Sequence, residues 1–410
     1  MAKLRKRLFA GAGYNTIYYG PGRKEFNPKE LPPYEGYLQE TAKGTLGQIP
    51  QASFDEGVIG SFMSGKFLNQ ANLPGFIPFM VPQLEGKPCT AVEGACGTGG
   101  RAIAAAANVI LADRGEAVFT AAFEMQNGVK SVYGADILAG ASYYAGERKQ
   151  GSAYFFPGIF SERAGAYFNR HNAELARQGM ALWYEQAIVN ARKNPKAQEY
   201  HNTSPNLYSL ALTLPDPKKF LQYLNIYDCS KITDGASSIA LFSEEGVKKA
   251  GLGMDQLVEI VAIEASESDI TKPPEDPTRL QNTQIAVQKA LASAGLTIDD
   301  IGIFEIHDCF TITALLSIEA LRLAPYGAAA EYILEGLTAS DSPAPINPSG
   351  GLIGFGHPTG ASGIRQLVDL HEQLVEKAAN QITLKKQFGM MLSMGGNDKT
   401  VTCIIVKKLG

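Results

Sequence analysis

Histidine, cysteine and tryptophan are scarce in this 410-residue chain, which holds five His, five Cys and one Trp. The cysteines are Cys89, Cys96, Cys229, Cys309 and Cys403. They are odd in number and scattered, which argues against a disulfide framework and points to reduced, cytoplasmic usage. There is no C-x-x-C pair and no clustered His, so no metal site is expected. No uninterrupted apolar run is long enough to span a bilayer. Lys3 to Arg7 form a basic start, but no hydrophobic signal core follows, so no secretory signal is expected. A formal charge of only −4 argues against nucleic acid as a partner. Hydrophobic residues, by contrast, make up 45% of the chain, enough for a large core in two domains or one duplicated one.

The chain is organised around residues 92–101, Val-Glu-Gly-Ala-Cys-Gly-Thr-Gly-Gly-Arg. A β-prone run at 89–93 enters this turn, and an Ala-rich helical run at 102–112 leaves it. Cys96 therefore sits at a helix start, where unpaired amides and the dipole end are expected to lower a thiol pKa and make a nucleophile. The arrangement is that of a strand–turn–helix elbow with Cys in place of Ser. Two other readings compete. Free Cys is among the most buried residue types, so Cys96 also suits a core. Residues 97–102 also fit the dinucleotide fingerprint G-x-G-x-x-A, with Glu124 at the end of the next strand as a ribose-binding acid. That reading makes the chain an NAD-binding oxidoreductase.

Strand–helix–strand rhythm runs from residue 8 to 123 and predicts a parallel sheet covered by helices, an α/β fold. The rhythm breaks after Glu124. Residues 125–227 are rich in Tyr, Asn, Gly and Ala, with helices expected near 160–178 and 181–193. So long an excursion from an α/β unit points to a cap over a site. Strands return at 236–242, 257–264, 301–306, 388–392 and 400–406. The halves echo each other: each has a strand, a glycine-flanked reactive residue at a helix start, a helix and a strand. Cys96 holds that place in the first half and His357 in the second. A duplicated fold brings both turns to the carboxyl ends of strands, where ligands bind.

His307 and Cys309 are two residues apart at a strand end, so a period of two puts them on one face and Asp308 on the other. A helix start follows Cys309 and is expected to lower its pKa. His357 precedes Pro358, which favours extended backbone and a helix just beyond. With Gly94-Ala95-Cys96, Asp234-Gly235-Ala236, His307-Asp308-Cys309-Phe310, Gly356-His357-Pro358-x-Gly360-x-Ser362-Gly363 and Gly395-Gly396, the chain resembles the thiolase superfamily over nearly its whole length. The likeness is to its sterol-carrier-protein-2-type members.

The resemblance implies a duplicated five-layer αβαβα thiolase fold with a cap insertion. Residues 1–118 and 229–253 would form the N-terminal half, 119–228 the cap, and 254–410 the C-terminal half. It implies a thiolase cleaving 3-oxoacyl-CoA with CoA, or running the reverse Claisen condensation. Cys96 would carry the acyl group, and His357 would take its proton. His307 would bind the thioester oxygen, and the amides of Cys96 and Gly395 would form a second oxyanion site. Ser362 would contact substrate. Thiolases usually place a second acid/base Cys where Ser393 stands here, so Cys309 would take that role. Coenzyme A and acyl-CoA would be substrates, with no permanently bound cofactor, in a cytoplasmic homodimer or dimer of dimers serving lipid or fatty acid metabolism. A thiolase-like carbon–carbon lyase or condensing enzyme working with a partner chain is the related alternative.

Overall fold

Nine apolar runs become the strands of one mixed sheet among the described residues, which are 4–410 of this computed structural model. Lys3 lies outside them. The strands are β1 (Leu8–Asn15), β2 (Glu56–Gly60), β3 (Cys89–Val92), β4 (Ala117–Glu124), β5 (Gly235–Ser243), β6 (Leu257–Glu267), β7 (Ile301–Glu305), β8 (Phe388–Gly395) and β9 (Thr400–Lys408). Their order across the sheet is β3-β2-β4-β5-β1-β6-β9-β8-β7. β2 runs parallel to β3 and β4, and β7 runs parallel to β8. The remaining pairs are antiparallel, including the β1–β6 seam between the halves. The expected parallel sheet is therefore mixed, because β5 runs against β2, β3 and β4, and β9 runs against β7 and β8. β4 and β5 are buried along their whole length, which is why they read as continuous apolar runs and not as alternation.

The helices that position the site are α1 (Tyr34–Leu46), α2 (Thr98–Leu111), α3 (Phe155–Arg170), α4 (Ala173–Ala191), α5 (Gln281–Ala294), α6 (Thr311–Ala320) and α7 (Ser362–Leu374). α2 and α7 pack on each other, and each touches strands of both halves. α1 covers β1 and β5 from outside, and α5 covers β6 and β9. Helix, strand, helix, strand, helix is the alternation expected of a five-layer fold. Ile103 and Ile110 of α2 pack with Leu367 and Val368 of α7 in one cluster. Each such buried side chain contributes about 1.5–3 kcal/mol.

Two boundaries differ from the sequence reading. β4 runs on to Glu124, so the cap boundary at 119 would cut a strand; the excursion begins after Glu124. The two helices expected near 160–178 and 181–193 break at 171–172 and not at 178–181. There Asn172 caps α4 by accepting from Leu175 N–H at 3.0 Å.

Candidate active site

The turn after β3 is a strained elbow. Ala95 takes φ 53°, a left-handed angle that costs an L-residue about 1–2 kcal/mol. The hydroxyl of Thr98 clamps it, donating to Ala95 O at 2.7 Å and accepting from Gly94 N–H at 3.0 Å. Cys96 is thereby presented half-buried at the start of α2. The glycines of α2 serve packing. A Cβ on Gly99 would lie 2.6 Å from Ile364 N and 2.7 Å from Gly363 Cα. They let α2 and α7 cross closely and leave no room for a pyrophosphate.

Glu124 is fully buried and accepts from Ser61 Oγ, the Phe62 and Met63 amides, Thr359 Oγ1 and Gly360 N–H at 2.8–3.2 Å. It therefore cannot face a ribose. Both halves of the dinucleotide fingerprint are structural, and the NAD reading falls. Glu124 instead ties the loop after β2 to the His357 loop.

That second loop follows Gly356, whose φ of +120° only glycine adopts readily. His357 is buried, and its Nδ1 is 2.7 Å from Ser362 Oγ. The hydroxyl also donates to Pro358 O at 3.0 Å, which can only accept. That assigns the hydrogen between serine and histidine to Nδ1 and leaves Nε2 as a bare lone pair. Ser362 is fully buried beneath His357 and does not line the cavity, so the expectation of a substrate contact is corrected to a positioning role.

His307, just beyond β7, accepts from Met394 N–H through Nδ1 at 3.3 Å. Its tautomer is the opposite one, with hydrogen on Nε2. Asp308 points the other way, as the period of two requires. It accepts from Trp183 Nε1 at 3.0 Å and from Leu352 N–H at 2.7 Å, anchoring α4 to the end of β7.

One nitrogen of each imidazole and Cys96 Sγ lie within 4.8 Å of one another, and the two rings meet edge-on with centroids 5.1 Å apart. With both Nδ1 atoms spent, Nε2 is what each ring offers. The fold thus makes a Cys–His–His cluster, of a kind able to hold a metal ion, where sequence spacing showed none. The same cluster suits proton transfer: a thiol, a bare Nε2 and an Nε2–H donor.

A cavity of about 360 Å³ opens over them. Cys96, His307, Cys309, His357 and Gly396 line it, with Phe160 and Phe310 stacked at 4.6 Å in its wall. Ser393 does not line it; its hydroxyl is buried against Gly100 and Gly363, without a hydrogen-bond partner. The amide directed at the Cys96 sulfur, besides that of Cys96 itself, belongs to Gly396. Gly395 sits one residue earlier, packed against Gly94 and Gly97.

The expected depression of the thiol pKa does not occur. Burial, reinforced by the Glu124 carboxylate, pushes Cys96 up to about 12, against the two amides that favour the thiolate. Burial also raises Cys309 well above the usual thiol range, with the charge of Cys96 adding to it. His357 is pushed down to about 3, first by burial and then by the Arg365 guanidinium. His307 is also held well below the ordinary imidazole range, first by burial and then by His357 and Arg365. The resting site is therefore a neutral thiol beside neutral imidazoles. Here desolvation outweighs the helix start.

Sequence reasoning missed Gln126, Thr359 and Cys229, all of which line the cavity. Gln126 Nε2 donates to Thr359 Oγ1 at 3.1 Å, bracing the His357 loop. Gln126 lies two residues past the end of β4, and that strand-end position was the available signal.

A family described as thiolase C-terminal domain-like matches residues 264–408. The chain is 29% identical to the acetyl-CoA acetyltransferase of Methanothermobacter thermautotrophicus over 88% of this chain and 90% of that one. It is 28% identical to human sterol carrier protein 2, over 93% of this chain and 68% of that one. The chain belongs to the thiolase superfamily. Its activity is that of a thiolase-type acyltransferase. Solved structures share the thiolase fold at low identity. Human mitochondrial 3-ketoacyl-CoA thiolase in complex with CoA superposes with a TM-score of 0.70 at 16% identity, covering 100% of each chain. The Ltp2–ChsH2(DUF35) aldolase superposes with a TM-score of 0.77 at 17% identity, covering 99% of this chain and 98% of that one. No helix among the described residues is long and apolar enough to cross a membrane.

Proposed function

We propose that this thiolase transfers acyl groups between CoA thioesters through an acyl-Cys96 intermediate. It cleaves 3-oxoacyl-CoA with CoA or runs the reverse condensation. The observation that carries this is the convergence of Cys96 Sγ with the free nitrogens of His307 and His357 under one cavity.

His357 Nε2 takes the thiol proton as the sulfur attacks the 3-oxo carbon. His307 Nε2–H donates to the oxygen that gains charge. Proton and charge move together, because both resting groups are neutral. The C2–C3 bond then breaks, the acyl group stays on sulfur, and Cys309 protonates the departing enolate. Cys309 next takes the proton of the incoming CoA thiol. The amides of Cys96 and Gly396 hold the thioester oxygen, in place of the Gly395 amide expected from sequence. The cap, residues 125–228, covers the site and holds CoA. CoA is a substrate here, with no permanently bound cofactor. The same reading takes the protein as a cytoplasmic homodimer or dimer of dimers in lipid metabolism.

Intact-protein mass after acetoacetyl-CoA tests the intermediate. One acetyl adduct, lost in Cys96→Ala, is expected; an adduct that persists in that variant removes the assignment. A carbon–carbon lyase working with a partner chain shares the fold and requires no acyl-enzyme, so an unmodified wild-type chain would favour it.

A further inference from the structure

We infer that a cavity on the opposite side of helix α3 from the thiol is a second ligand site, for an organic anion with an apolar body. It lies apart from the site assigned above and does not rest on that assignment. Phe156, Pro157 and Phe160 face the thiol cavity, whereas Phe155, Ile159 and Arg163 of the same helix line the other one. The second cavity is the larger, about 680 Å³ against about 360 Å³. Its far wall is the 270–277 loop, and its floor includes Asn397 and Lys399.

Arg163 is the reason for an anion. It is 2% exposed, yet no carboxylate forms an ion pair with it among the described residues. Its Nε donates to Asn397 Oδ1 at 2.6 Å. Nη1 donates to the carbonyls of Pro277 at 2.8 Å and Arg279 at 3.1 Å. Nη2 has no partner. A buried cation held only by neutral acceptors carries a large desolvation cost, which a counter-anion at contact distance offsets. Asp398 and Asp276 act on it only at longer range.

Lys399 repeats the pattern. Its ammonium donates to the carbonyls of Asp269 at 2.9 Å and Lys272 at 2.6 Å, and Lys272 also lines the wall. Glu147 and Glu162 reach the same cavity, and Glu147 attracts Lys399. The surplus of positive charge is therefore small and centres on Arg163, which fits one carboxylate or phosphate group. Phe155, Ile159, Ile270 and Pro273 supply apolar wall for the remainder of the ligand.

Calorimetry on the full chain tests this with octanoate, octanol and inorganic phosphate as probes. Octanoate should bind, with octanol and phosphate each at least ~10-fold weaker, since each lacks one of the two features. Thr271→Glu, at the exposed rim, should weaken octanoate roughly 10-fold by like-charge repulsion, and Thr271→Lys should strengthen it. Ile159→Trp, one helical turn from Arg163 on the same face, should obstruct the apolar wall and weaken octanoate at least ~10-fold. Phe156→Trp, on the opposite face of α3, should leave it unchanged. Absence of octanoate binding, equal binding of octanol, or a loss that follows Phe156→Trp in place of Ile159→Trp would each overturn the assignment.

Discussion

Cys309→Ala and Ser393→Ala together probe the second proton transfer. Cys309 borders the thiol cavity, feels the charge of Cys96, and has its sulfur 3.9 Å from Thr313 Oγ1. Ser393 is turned into the α2–α7 crossing, where its hydroxyl has no partner. Removing the Cys309 thiol takes away the acid that protonates the enolate and the base that receives the CoA proton. Positioned acid–base groups contribute about 10²- to 10⁴-fold, so kcat should fall at least ~100-fold. Because the Cys96–His307–His357 cluster is untouched, acylation of Cys96 should still go to one equivalent in a single turnover. Losing one small buried sulfur should cost no more than about 1 kcal/mol of stability. Ser393→Ala removes a buried, unsatisfied hydroxyl, so its stability should hold or rise by up to about 1 kcal/mol, with kcat within a few-fold of wild type. Steady-state thiolysis of acetoacetyl-CoA, single-turnover mass spectrometry and urea unfolding read the three quantities. Intact kcat in Cys309→Ala, or loss of kcat in Ser393→Ala, would refute the proton route.

Other expectations follow from the same geometry. Ser362→Ala strips the partner from His357 Nδ1–H and should lower kcat roughly 10-fold through the tautomer, with KM nearly unchanged; an unaltered kcat would mean that the hydroxyl does not set the tautomer. Because Cys96 is pushed up to about 12, its rate of alkylation by iodoacetamide should climb steadily between pH 7 and 9. A plateau in that range would reveal a thiolate that the site does not predict. Glu124 is raised to about 7 by burial, above the usual 4.5. The folded state thus binds more protons than the unfolded one between those values, and this group loses stability as pH rises through them. Glu124→Gln should abolish that contribution, seen as a smaller stability difference between pH 5 and pH 8 than in wild type. Gly356→Ala forces φ +120° on an L-residue and brings its Cβ to 3.0 Å from Gln198 Oε1 and Thr233 Cγ2. It should cost about 1–3 kcal/mol and displace His357, lowering kcat beyond what the melting temperature implies.

The sequence by itself determined the local elements and the chemistry-bearing turns. Apolar runs and glycine punctuation place β1, β4 and β5, and put Cys96 in the turn just before α2, because strand and helix periods are set by neighbours along the chain; His357, expected at a helix start, lies instead in the loop five residues before α7. The period of two also placed His307 and Cys309 on one face and Asp308 on the other. Four things required the fold. The convergence of residues 96, 307 and 357 depends on α2 and α7 crossing at Gly99 and Gly363, a contact between segments more than 260 positions apart. The meaning of the G-x-G-x-x-A pattern was decided by what its glycines touch. α7 presents a polar face in sequence, yet Arg365, Gln366 and Asp369 are all buried, paired with Glu305, Ser349 and strand carbonyls. The acidity of Cys96 was decided in the same way. A helix start favours the thiolate locally, but the cost of removing that charge from water depends on every segment that closes over it, and only the packed structure brings those segments together.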